Sequence, residues 1–466
     1  MKLHWGPEGF RILSQQDIEH IFEAALQLLE KGGAIVENQV MLERFALAGA
    51  ELDLPGQKVR FPRSLVLAHL DQVEKIGWTS KPVHFSGCAE LYEGPYLDPD
   101  DGQMKPWSLA RLQETVKVAR TLKELDGVSM LGCPMKDTPV QNQPLYEKLV
   151  CWKYGVRGGH SIWDTALCPR ILEMFRIYAD ITGQAVRDVF TGTVYLISPL
   201  KLGHIEAEQF MYFHANGLKV TVGCNGALGG GMPVTPAGGL VVQLAEALFL
   251  SLLNQVFFDE RKLHLGAAIS VLDMSTAAQQ YGRPEKSMTN LAMAEIARWL
   301  RVPSSGHCGL ADAKVPGYEA GVQKATSAIF NAAAGGHGYI AAGLLGTDEI
   351  FSPVQMVLDH DLLASLRWIS AGFDTDPDSL GLDVLLQEGP GNALIGTEHT
   401  ANHHLQSIWQ PITWSKSMLG AWDRDGRKNE VDKARQYVLS VIHDGKPFEY
   451  CIDANAERRL MDVIDL

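Results

Sequence analysis

The sequence predicts a (β/α)8 (TIM) barrel with an N-terminal helical extension and a C-terminal helical lobe. Three observations lead there. From Ser108 onward, amphipathic helix and short strand alternate regularly. The strands are apolar and rich in Gly, Val and Ile, as parallel strands covered on both faces are. Glycines and polar residues gather where strands hand over to helices, the end at which such enzymes build their sites.

The elements follow in order. Ser14-Gln15-Gln16-Asp17 is a capping box, Ile18, Phe22, Leu26 and Leu29 recur at helical spacing, and Gly32-Gly33 stop the helix. Residues 1–77 therefore read as a helical extension. Residues 83–96, with the turn that follows, read as extended chain. Residues 78–374 form the expected barrel domain, with strands at 127–133, 158–163, 188–197, 218–224, 263–270, 302–308 and 338–342. Seven helix–strand units fall one short of eight. Both 83–96 and 392–396 qualify for the missing strand, and an open doubly wound sheet is the structural alternative. Residues 375–466 read as a helical lobe packed on the barrel.

Composition sets bounds. The chain has 466 residues, 46% hydrophobic and 21% charged, as a globular protein with ample core has. A net charge of -14 without a Lys/Arg-rich run argues against a nucleic-acid partner. The first residues lack a signal peptide's apolar stretch, and Glu246 and Asn254 interrupt the best membrane-spanning run. The 7 Cys are scattered with no C-x-x-C pair, so reduced thiols and a cytoplasmic location are expected.

The chemistry starts at residues 220–239. There a β-branched strand enters a loop containing Gly226, Gly229, Gly230 and Gly231, and Thr235-Pro236 start a long helix. Backbone N–H groups of such a loop, with the helix N-terminus, can cradle an anion; a tight connection that binds nothing is the alternative. The other strand ends carry Gly132-Cys133, Trp163-Asp164, Tyr195, Ser270 and His307-Cys308, and Cys224-Asn225 precede the loop. Aromatic faces there hold a permanent cation at about 0.5–2 kcal/mol each, with plain core packing as the competing role. His399 and His403 are spaced i, i+4, but no Glu follows the first His and no third ligand lies nearby, so no metal site is expected. No G-x-S-x-G elbow is present.

Several segments, in order, resemble the trimethylamine methyltransferase family. They are Ile197-Ser198-Pro199-Leu200, the glycine run into Pro233-Val234-Thr235-Pro236-Ala237-Gly238, and Gly309-Leu310-Ala311-Asp312-Ala313-Lys314 with Tyr318-Glu319-Ala320-Gly321. Residues 335–343 and Glu398-His399-Thr400 complete the set. The resemblance implies a (β/α)8 barrel, a methylated amine donor, and cob(I)alamin on a separate corrinoid protein as acceptor. The archetypal member carries pyrrolysine. This chain has only standard residues and resembles the branch without it, whose members use quaternary amines including glycine betaine; the lost position falls around 302–310.

The chemistry agrees with that loss. A quaternary ammonium departs as a neutral amine, so alignment and a dry pocket suffice, with no zinc and no catalytic acid. The expected reaction moves a methyl group from glycine betaine to cob(I)alamin and releases dimethylglycine. Trp163, Tyr195 and Tyr339 are the candidate cation-facing aromatics. Asn225, Gly226 and Gly230 are candidates for the carboxylate, and His307 for a further polar contact; no residue is assigned an acid or base role. The implied partners are a corrinoid-binding protein and a small quaternary amine, and a homo-oligomer is compatible with the sequence. The alternatives are carnitine or proline betaine as donor, a Schiff-base lyase or aldolase acting through Lys314, and a betaine-binding protein without catalysis.

Overall fold

The computed structural model describes residues 4–6, 9–78, 84–91, 94–130, 135–156, 161–447 and 449–466. The protein is mixed α/β, and seven parallel strands organise it. In chain order they are β1 (Phe85–Leu91), β2 (Val128–Met130), β3 (Thr193–Leu196), β4 (Thr221–Cys224), β5 (Leu265–Ala267), β6 (Ser304–Cys308) and β7 (His337–Ala342). One sheet has the order β5-β6-β7-β1-β2, and β3 pairs with β4. The last strand, β7, thus pairs in parallel with the first, β1.

This settles the strand that the sequence left open: it is β1, inside 83–96, and 392–396 forms no strand. Beyond β4 and β5 the chain pairs again, Ala227–Leu228 running parallel to Ser270–Leu272. The expected strand at 158–163 is not seen. Ser161–Asp164 pairs with neither β2 nor β3 among the described residues, and 157–160 lie outside them. The ladders among the described residues therefore do not close a complete barrel.

Helices cover one face of the strands. Phe85, Cys308 and Ile340 pack there against Ala328, Leu363 and Leu366, from helices Tyr318–Ala333 and Pro353–Ala371. The most apolar helix, Pro236–Phe258, starts as expected, with Thr235 capping Gly238 N–H and Pro in the first turn. By length and composition it could cross a membrane, but 72% of its most apolar window is buried inside the protein.

The N-terminal region is not all helical. The Ser14 capping box forms, but strands Ala34–Val36, Glu51–Asp53 and Lys58–Arg60 build an antiparallel sheet that Lys201–Leu202 joins. Strands of two or three residues are too short for periodicity to reveal them. At the other end, helices Glu430–Ile442 and Ala454–Ile464 bury Ala434, Val438, Leu460 and Val463 against the body. The chain between Ala371 and Lys433 behaves differently: among its residues only Thr413 is buried.

Candidate functional site

Register decides which side chains converge. His307 on β6 pairs with Tyr339 on β7, and Tyr339 with Ser86 on β1. Paired residues share a face, and the face repeats every second residue, so Cys88 and Glu90 stand beside Tyr339 and His307, away from the helix-covered side. On β3, Tyr195 pairs with Gly223 of β4. A Cβ at Gly223 would sit 2.7 Å from the Tyr195 ring, so glycine lets that ring lie across β4.

Glu90 is the centre of this group. It is 5% exposed, its Oε2 has no hydrogen-bond partner among the described residues, and it lies 3.9 Å from His307 Nε2. Burial, then the Glu90 charge and the Cys88 thiol, hold the Tyr339 hydroxyl well above its ordinary pKa. Burial and the same carboxylate raise that of Tyr195. Yet the Tyr195 side of the site is open: that residue is 48% exposed. Tyr195 thus combines a half-exposed side chain with a desolvated hydroxyl. Asp348, in the turn after β7, also senses Glu90 and His307; burial, then Glu349, push its carboxyl up to about 6.

A second layer backs the first. The His307 ring lies 5.8 Å from Tyr339 and 6.5 Å from Tyr281, centroid to centroid. Asn225 Nδ2 donates to the Tyr281 hydroxyl at 2.5 Å and Gln279 Nε2 at 3.1 Å, while Asp312 accepts from the N–H groups of Tyr281 and Gly282. Behind the Tyr281 ring, 4.7 Å from its centroid, sits the buried Lys286 ammonium, which desolvation brings down to about 8.

Of the residues singled out in the sequence, Tyr195, His307 and Tyr339 meet around Glu90, and Asn225 joins through Tyr281. Trp163 is 39% exposed and makes no ring contact among the described residues; its neighbour Asp164 caps a short 3-10 turn. Cys133 lies outside the described residues. Cys224 and Cys308 are desolvated thiols, each pushed up to about 12, and so unsuited to nucleophilic work.

Two donors of the expected anion cradle are engaged within the loop. Gly229 N–H donates to Met232 O, and Gly230 N–H to Ala227 O, so these donors are spent inside the turn. The Cβ direction of Gly226 is filled by Met232, and that of Gly230 holds nothing nearer than 3.4 Å. Gly231 is the tight position: a Cβ there would lie 2.4 Å from the Ser198 carbonyl oxygen. Glycine at this loop serves close backbone packing. Lys314 is also corrected as a Schiff-base candidate. Its side chain is 59% exposed and its Nζ lies 3.8 Å from Glu349, so it lacks the desolvated setting that a Schiff-base lysine needs. His399 and His403 both engage Asp378, through its carbonyl and its carboxylate. No three His, Cys, Asp or Glu side chains among the described residues are placed to hold a metal.

Glu90, Tyr281 and Asp348 were not anticipated. Glu90 carried a readable signal, an acid at the carboxyl end of an otherwise apolar strand, hidden while the place of that strand was undecided. Tyr281 and Asp348 sit in loops, where no periodicity points to a shared site.

Titratable and aromatic side chains converging beyond parallel strands define an α/β enzyme. The comparisons with known proteins specify which kind. The family model for trimethylamine methyltransferase (MTTB) matches residues 6–465, and the chain belongs to that family. It is 23% identical over 461 residues to trimethylamine methyltransferase MttB of Desulfitobacterium hafniense (strain DSM 10664 / DCB-2), covering 94% of this chain and 91% of that one. It is 26% identical to MttB1 of Methanosarcina acetivorans, covering 97% and 94%. It is 23% identical to glycine betaine methyltransferase of Desulfitobacterium hafniense (strain Y51), covering 89% of each. Among solved structures, the monomethylamine methyltransferase MtmB of Methanosarcina barkeri overlaps with a TM-score of 0.48 at 12% identity, over 96% of this chain and 91% of that one.

Proposed function

We propose that this methyltransferase takes a methyl group from a quaternary amine and passes it to cob(I)alamin on a separate corrinoid protein. The observation that carries the reading is Glu90: a buried carboxylate with an unpartnered oxygen, faced by two tyrosines and a histidine. An isolated buried carboxylate is costly, and a cation lodged beside it would offset that cost. Tyrosine faces add cation–π attraction without competing for the charge. We also read the parallel strands as a (β/α)8 barrel, with the β7–β1 pairing as its seam; that reading puts Glu90, Tyr195, His307 and Tyr339 at the functional end.

The acceptor supplies the nucleophile, which forms a bond to the methyl carbon as the C–N pair leaves on nitrogen. This chain's residues have three tasks. Glu90 and the tyrosine rings hold the ammonium and fix the direction of one methyl group. Burial around Tyr339 and Glu90 keeps water from the charge. The exposed Tyr195 side leaves an approach for the acceptor. None of these tasks needs a resident metal, so dialysis against a chelator should leave activity intact.

Within the quaternary amines, glycine betaine is the preferred donor in this reading, with dimethylglycine as product. The relative named glycine betaine methyltransferase and the all-standard sequence support it. With the N–H groups of Gly229 and Gly230 engaged, the side-chain amide of Asn225 and the His307 ring are the polar groups this reading assigns to a donor carboxylate. Carnitine and proline betaine are the competing donors. A donor panel with free cob(I)alamin, followed by absorbance as methylcobalamin forms, tests the reading. Quaternary amines should react and trimethylamine should not; faster reaction with trimethylamine would reject it.

A further inference from the structure

We propose that Lys286 sets the site's preference for donors that carry a carboxylate, acting through the Tyr281 ring as a positioning residue. The proposal rests on the quaternary-amine reading and deepens it. Lys286 lies in the first turn of helix Pro284–Leu300 and is 1% exposed, and its Nζ has no hydrogen-bond partner among the described residues. What faces the ammonium is the Tyr281 ring, with its centroid 4.7 Å away.

The fold does not neutralise this charge. Asp312 is close enough to sense the ammonium, but its carboxylate oxygens already accept from the N–H groups of Tyr281 and Gly282. The Cys308 thiol, which also senses it, is pushed up to about 12 and stays neutral. A buried ammonium without a paired carboxylate is costly, and one ring face offsets only part of that cost. A methionine of similar length would pack there without the penalty. A charge kept at such a cost beside a functional site marks a task there.

Its surroundings supply the task. Tyr281 contacts Lys286 and lies 6.5 Å, centroid to centroid, from His307, which itself lies 3.9 Å from Glu90. The side-chain amides of Asn225 and Gln279 both donate to the Tyr281 hydroxyl, so this end of the site gathers an ammonium and two amide donors. The other end gathers Glu90 and Asp348. The site is thus polarised, positive at Tyr281 and negative at Glu90. A betaine has the matching polarity, with its ammonium drawn to Glu90 and its carboxylate to the Tyr281 end. Because Lys286 occupies one face of Tyr281, that ring is a poor host for a second cation, and the donor ammonium is left to Tyr195 and Tyr339. A cation without a carboxylate gains nothing from Lys286.

Lys286→Met keeps the length of the side chain and removes the charge. Isothermal titration of both proteins with glycine betaine and with tetramethylammonium, beside thermal melts, tests the assignment. The wild type should bind glycine betaine more tightly than tetramethylammonium. The variant should bind glycine betaine about tenfold more weakly, and tetramethylammonium as tightly as before or more so. Its melting temperature should equal or exceed that of the wild type, since an apolar side chain replaces an unpaired buried charge. A lysine kept for the fold would instead lower the melt or weaken both ligands alike. Either result, an unchanged glycine betaine affinity in the variant, or a wild type without preference between the two ligands overturns the role of Lys286. A wild type that binds neither ligand rejects the quaternary-amine reading itself, and this assignment with it.

Discussion

The Glu90 carboxylate on β1 lies 3.9 Å from the imidazole Nε2 of His307 on β6, across the intervening strand that carries Tyr339. Three neighbouring strands thus aim a carboxylate, a phenol and an imidazole at one point. Replacing Glu90 by Gln keeps the shape and removes the charge. Donor affinity should then fall by about tenfold to a hundredfold, the worth of one charge-assisted contact. Isothermal titration beside a thermal melt measures it; unchanged affinity in a folded variant would remove Glu90 from the site.

Tyr195 depends on Gly223 for its place. Tyr195→Leu should cost about 1 kcal/mol of donor binding, roughly fivefold, by removing one ring face. Gly223→Ala should give a similar loss through displacement of the ring, because its Cβ would lie 2.7 Å from Tyr195. The double variant should lose no more than Tyr195→Leu alone. Additive losses would show that Gly223 acts elsewhere.

Asp348 gives the site a pH dependence. Its carboxyl is pushed up to about 6 from 3.8, so it is neutral below that pH and anionic above it. The folded chain keeps a proton that the unfolded chain releases, so this group's contribution to stability falls as pH rises from about 4 to about 6. Binding runs the other way: an anionic Asp348 attracts a cation, and donor affinity should rise through pH 6. Asp348→Asn should flatten that rise. Titrations at a series of pH values on both proteins decide it, and an equal slope in the variant would exclude Asp348.

The glycine loop offers a prediction about folding. Gly231→Ala forces a Cβ against the Ser198 carbonyl and should lower the melting temperature by several degrees, whereas Gly230→Ala, with nothing nearer than 3.4 Å, should leave it unchanged. Equal melts would show that the loop relaxes freely.

These residues also show what the sequence could and could not tell. Strand period and length located β3, β4, β6 and β7, and with them Tyr195, His307 and Tyr339. Glu90 escaped because the sequence left open whether 83–96 or 392–396 supplies the missing strand, so no strand end was assigned there. Glycine content reports conformational freedom, not which N–H groups stay free; the turn bonds of Gly229 and Gly230 remove those two donors from the expected cradle. The short N-terminal strands escaped because three-residue pairings are fixed by distant partners such as Lys201–Leu202.

The central claim is that the site recognises the positive charge of its donor, and a carbon isostere tests it most directly. 3,3-Dimethylbutanoate has the shape and carboxylate of glycine betaine with carbon in place of the ammonium nitrogen. Isothermal titration should show the wild type binding glycine betaine at least tenfold more tightly than this isostere, and Glu90→Gln should reduce the preference to the few-fold that the ring faces supply. Equal binding of the two ligands by the wild type would contradict the account.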